Sequence, residues 1–137
     1  MSIHKHKLCP FSKPIISMWC ECPYASLMEG CTGKMTCNRE AKFHISCYKL
    51  VSTLKEFSGF ILGFKPHEVE LTHAQSMKIR CGGIIGMQRV LNVNVDSTPV
   101  IPDVLDASSN QYQTVTDFPF NEIVQDIKTF SHRKKRH

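Results

Sequence analysis

A mixed α+β fold is what this sequence predicts: a Cys-rich, metal-organised N-terminal lobe packed on two or three helices with a few short strands. Three observations carry that expectation. Six of the seven cysteines (Cys9, Cys20, Cys22, Cys31, Cys37 and Cys47) crowd into residues 9–47 of the 137-residue chain. Two later stretches repeat apolar residues at three–four spacing, the period of one helix face. Short runs elsewhere alternate with the period of a strand.

Taken in order, residues 1–8 are polar and basic and include His4 and His6. Pro10, Pro14 and Pro23 argue against a long helix among the first cysteines. The pairs Ile15-Ile16 and Met18-Trp19 therefore suggest a short strand or a wrapped loop. Residues 30–38 read GCTGKMTCN, a turn-rich loop, and Asn38 is placed to cap a helix over about 39–58. Its stripe is Phe43, Cys47, Leu50, Leu54, Phe57 and Ile61, with Gly59 or Gly63 as the stop and Pro66 beyond it.

Residues 68–71 alternate as a short strand. Thr72 with Gln75 forms a capping box before a second stripe of Ala74, Met77, Cys81, Ile84, Gln88 and Leu91. Gly82 and Gly83 fall inside that stripe and cost a helix about 1 kcal/mol each, so a bend or split is expected there. Leu91, Val93 and Val95 alternate with polar residues as a half-buried strand. Residues 97–118, with Pro99, Pro102 and a polar SSNQYQ run, read as a long loop holding one strand at 113–116. Asn121 stands before a last apolar stripe of Ile123, Val124, Ile127 and Phe130.

Hydrophobic residues make up 42 % of the chain, enough for a core. The length suits a single domain. It divides into the Cys-rich lobe at 9–47, a supporting part at 48–130 and a basic tail at 131–137. The best apolar run, 57–64, is interrupted by Ser58, Gly59 and Gly63 and falls short of a membrane span. The charged start lacks the apolar segment of a secretory signal. A cytoplasmic, reducing setting follows, where clustered cysteines read as thiolate ligands before disulfides. The net charge of +5 is unevenly spread. A basic front and tail flank a segment in which Asp96, Asp103, Asp106, Asp117, Glu122 and Asp126 face only Lys128, which weakens the nucleic-acid signal of the overall charge.

The cysteine spacing points to a metal without naming it. The usual zinc hook, C-x₂₋₄-C given twice, is absent; the closest pair is the C-x-C of Cys20 and Cys22. Ferredoxin spacings are absent as well. Cys9-Pro10 and Cys22-Pro23 lean toward an iron–sulfur cluster, because a proline after a ligating cysteine turns the chain away from it. Cys20, Cys22, Cys31 and Cys37 are the expected cluster ligands, with Cys9 and Cys47 as replacements. His44 opens a zinc alternative with Cys31, Cys37 and Cys47. Trp19 is positioned to keep water from the thiols, or to close a small core. Cys81, beside Arg80, reads first as a buried helix cysteine and second as a thiolate.

Electron transfer or redox sensing with a protein partner, through an iron–sulfur cluster, is the function this pattern supports first. The alternative is a zinc-stabilised module for nucleic acid or protein. Lys5, Lys7, Lys13, Lys34, Arg39, Lys42, Arg133, Lys134, Lys135 and Arg136 would then meet phosphates. Catalysis is left open: His44, His67 and His73 form no nucleophile–base set by spacing.

Overall fold

The computed structural model describes residues 7–30, 33–65 and 70–131. His4, His6, Cys31, His67, half of the strand expected at 68–71, and the basic tail beyond Ser131 lie outside the described residues. The chain is mostly helical, broadly α+β, with five helices and one two-stranded sheet among the described residues. The helices are α1 (Ser12–Ile16), α2 (Ala41–Leu62), α3 (His73–Leu91), α4 (Ile101–Tyr112) and α5 (Val124–Thr129). Strands β1 (Ala25–Leu27) and β2 (Met35–Cys37) pair antiparallel, with Ser26 opposite Thr36. Among the described residues no helix is long and apolar enough to cross a membrane.

Helix α3 is the centre of the packing, touching α1, α2, α4 and α5. It starts with the capping box: Thr72 Oγ1 accepts from the Gln75 N–H at 3.1 Å and Gln75 Oε1 from the Thr72 N–H at 3.0 Å. Its inner face is almost all buried, from Met77 through Leu91. Gly82 and Gly83 do not split it, since it runs unbroken from His73 to Leu91. A Cβ on Gly82 would stand 2.7 Å from the Asp126 carbonyl oxygen, and one on Gly86 2.7 Å from Ile123 Cβ. One on Gly83 would meet Leu54 Cδ1 at 2.7 Å. The glycines let α5 and α2 approach the α3 backbone, and that close packing offsets their poor helix propensity.

Helix α2 runs one turn past the expected end and stops at Gly63, whose φ of 78° suits glycine. Its stripe is as read, with Leu50 and Leu54 fully buried and Phe57 and Ile61 packed on the core. Asn38 is not its cap; Glu40 holds that position without a side-chain cap bond.

Three segments differ from the sequence pattern. The expected strand at 91–95 is the end of α3 and a turn. Asn92 and Asn94 take φ values of 57° and 48°, left-handed geometry that asparagine tolerates. The buried Gln88 amide closes this turn by donating to the Asn94 and Ser97 carbonyls at 2.8 and 2.9 Å. The expected loop at 97–118 contains α4. Pro102 falls in its first turn, where the missing N–H has no partner to lose. Ile101, Val104, Leu105 and Ser108 form its buried stripe, while Ser109, Asn110 and Gln111 of the polar run are exposed. The expected strand at 113–116 is replaced by a 3₁₀ turn, Val115–Asp117. Asn121 likewise sits inside a 3₁₀ turn, Phe120–Ile123, that leads directly into α5.

At the front, Ile15 and Ile16 lie in the short α1 instead of a strand or loop. Phe11, Pro14 and Cys20 are buried, and Phe11 and Cys20 belong to the same apolar cluster as the helices. Glu21 fastens this region to the start of α4: its N–H donates to Pro99 O at 2.8 Å and its carbonyl accepts from the Ile101 N–H at 2.9 Å.

Candidate metal centre

Four cysteines from four separate segments influence one another electrostatically: Cys9 next to the Leu8 bridge, Cys22 before β1, Cys37 at the end of β2 and Cys47 in the second turn of α2. Backbone pairing brings the first three together. Leu8 bridges Thr36 antiparallel, with Cys9 N–H donating to Met35 O and Cys37 N–H to Lys7 O, both at 2.8 Å. Cys9 and Cys37 are therefore diagonal neighbours on one face of this ladder. Cys37 is also directly opposite Ala25 across the β1–β2 pair. Ala25 N–H returns to Cys22 O at 3.2 Å, closing the tight turn Cys22-Pro23-Tyr24-Ala25.

Helix α2 supplies Cys47 and clamps the start of the chain over it. His44 Nε2 and Tyr48 Oη both donate to the Leu8 carbonyl, at 2.8 and 3.1 Å. The two rings meet edge to face at 4.9 Å. Cys47 lies between these anchors on the same helix, and its pKa is raised first by burial and then by Cys9, Cys22 and Cys37.

Electrostatics and hydrogen bonding pull these thiols in opposite directions. Burial pushes Cys9 up to about 11 and Cys47 up to about 12, and Cys22 is raised by burial too. The other thiols of the group add to each rise, because a second thiolate nearby disfavours the first. Against this, the N–H of Phe11 points at Cys9 sulfur, and the N–H groups of Tyr24 and Ala25 point at Cys22 sulfur. Both Cys-Pro turns thus aim peptide donors at a sulfur. The Arg80 guanidinium lowers Cys9, and the Arg39 guanidinium lowers Cys22 and Cys47. Buried thiols of this kind are neutral by themselves at pH 7. A bound cation would make them thiolates, for which the donors and arginines are already in place.

The turn after Cys9 is tied down on several sides. Ser12 Oγ donates to Cys9 O at 2.7 Å and accepts from the Met35 N–H at 3.0 Å. Arg80 Nε donates to Pro10 O at 2.8 Å, joining this turn to α3. Arg39 is stacked on Phe43 at 3.8 Å and on Tyr24 at 4.7 Å.

The remaining candidates are placed differently. Cys20 is 1 % exposed and packs in the apolar core; burial raises its pKa first, and then Cys81, Cys9 and Cys22. Cys81 is equally buried and is pushed up to about 12 by burial, which outweighs the pull of Arg80. His44 already spends Nε2 on the Leu8 carbonyl. Trp19 stacks edge-on with Phe130 at 4.7 Å. The six described cysteines other than Cys31 are all free thiols. Among the described residues no three His, Cys, Asp or Glu side chains converge closely enough to hold a single ion as they stand.

Spacing alone could not find the link between Cys9 and Cys37 or the clamp on Leu8, since both arise from pairing across about thirty or more residues of chain. The two Cys-Pro dipeptides were the available signal. The chain matches no family model, no curated protein and no solved structure.

Proposed function

We propose that Cys9, Cys22, Cys37 and Cys47 hold an iron–sulfur cluster, and that the protein works in electron transfer or redox sensing. The observation that supports this reading is the grouping of four thiols from four segments, two of them already receiving peptide N–H donors. Such donors and nearby positive charge tune the potential of a thiolate-bound cluster. Size favours a cluster over one ion. Zinc draws its sulfurs to about 2.3 Å from a single point. A cluster places iron and sulfide between its ligands and takes thiolates standing farther apart. Arg39 and Arg80 would offset part of the negative charge that four thiolates bring.

Zinc on the same four thiolates is the second reading, since four cysteines suit it chemically. It would make the front a stabilised module for nucleic acid or protein, with Lys7, Arg39 and Lys42 beside the site. In the first reading, those same cations steer an acidic redox partner in a reducing, cytoplasmic setting.

Purification without oxygen, followed by elemental analysis and a visible spectrum, separates the two. Iron with matching sulfide and a brown colour is the expected result; colourless protein with one zinc per chain moves the conclusion to the second reading. Cys47→Ser is expected to lose most of the metal while Cys81→Ser retains it. A metal-free protein whose fold ignores chelators would end both.

A further inference from the structure

Between α2 and α4 lies a groove of about 280 Å³, at the lower edge of the size of small-molecule pockets, whose lining includes Arg39, the same side chain that lowers Cys22 and Cys47. Its two walls carry opposite charge. On the α2 side stand Arg39 and Lys49, with Phe43 and Ser46 between them; on the α4 side stand Asp106, Ser109 and Gln113, above Leu105. The groove lies at the carboxy-terminal end of α4, where the helix dipole places partial negative charge. Gln113 closes that end with a φ of 69°. Strained backbone of this sort is common where a ligand is clamped.

The charged groups are held ready and are not spent on each other. Among the described residues Lys49 and Asp106 form no ion pair. The Arg39 guanidinium is fixed by stacking on Phe43 and Tyr24, which occupies its faces and leaves its N–H edge without a hydrogen-bond partner among the described residues. A simple anion would meet Asp106 and the negative helix end; a simple cation would meet Arg39 and Lys49. A small molecule carrying both charges satisfies both walls.

We propose that this groove binds a free α-amino acid, with its carboxylate on Arg39 and Lys49 and its ammonium on Asp106 and the end of α4. A short side chain would rest on the apolar ground of Phe43 and Leu105. Bidentate pairing of a guanidinium with a carboxylate supplies the orientation. The inference shares Arg39 with the metal reading and adds Lys49 and Asp106, which that reading does not use.

Calorimetric titration of the full chain, as purified, with L-alanine, L-serine, L-leucine and L-glutamate tests it, with propionate, ethylamine and inorganic phosphate as partial probes. At least one amino acid is expected to bind saturably, and propionate and ethylamine at least tenfold more weakly. Lys49→Ala and Asp106→Asn should each weaken that binding about tenfold, with melting temperature and metal content unchanged, because both side chains are exposed. The proposal is overturned if no amino acid binds at tens of millimolar. It is equally overturned if propionate or phosphate binds as tightly, which would leave a cationic wall only, or if both variants bind like the parent.

Discussion

The front of the chain and the helical body are held together by different means. In the body, Leu50, Leu54, Ile79, Ile84, Met87, Val104, Ile123 and Ile127 are sealed from water, and α3 meets its neighbours backbone to side chain. Among the described residues of 7–40 only Phe11, Cys20 and Met35 are buried apolar side chains besides Pro14, and the regular structure is two three-residue strands and a five-residue helix. Hydrogen bonds to single carbonyls, such as those on Leu8 and Pro10, replace packing there. The body rests on burial, whereas the front rests on a few polar ties.

Substitutions can break this contrast in order of size. Leu54→Ala empties the space against Gly83 and should cost about 2–5 kcal/mol in denaturant unfolding, the range for buried leucine. Gly82→Ala comes next, at about 1–3 kcal/mol, because the added methyl would strike the α5 backbone. Gly83→Ala meets only the movable tip of Leu54, so it should cost visibly less than Gly82→Ala in the same assay. Equal losses at the two glycines would mean that α5 is not seated on α3 as described. Removing the clamp with His44→Ala should cost about 1 kcal/mol, the usual net worth of one hydrogen bond. Its main effect should be local, seen as faster proteolysis before residue 40 with the melting of the body barely moved. If the body melts with it, the two regions are one cooperative unit.

Much of the helical body can be read directly from residue periodicity. The stripes of α2 and α3 and the Thr72–Gln75 capping box survive because long three–four patterns and paired caps depend on local chemistry. Helix α4 is hidden for the opposite reason. Pro99 and Pro102 look like breakers, and only their place at the helix entry makes them compatible with one. The alternation at 91–95 is too short to outweigh Asn92 and Asn94, whose left-handed geometry turns the chain. At the candidate site, the sequence shows the density of cysteines between Cys9 and Cys47 and the two Cys-Pro dipeptides. It cannot tell which sulfurs meet, because that depends on Leu8 pairing with Thr36 and on α2 gripping the Leu8 carbonyl from more than thirty residues away.

The bare strip of α3 formed by Gly82, Gly83 and Gly86 has an effect on timing as well as on packing. With Asp126, Ile123 and Leu54 pressed against it, solvent has no channel to the peptide groups beneath. Those amides open only when α5 and α2 lift away together, so deuterium should enter the middle of α3 last of all, after the front has long since exchanged.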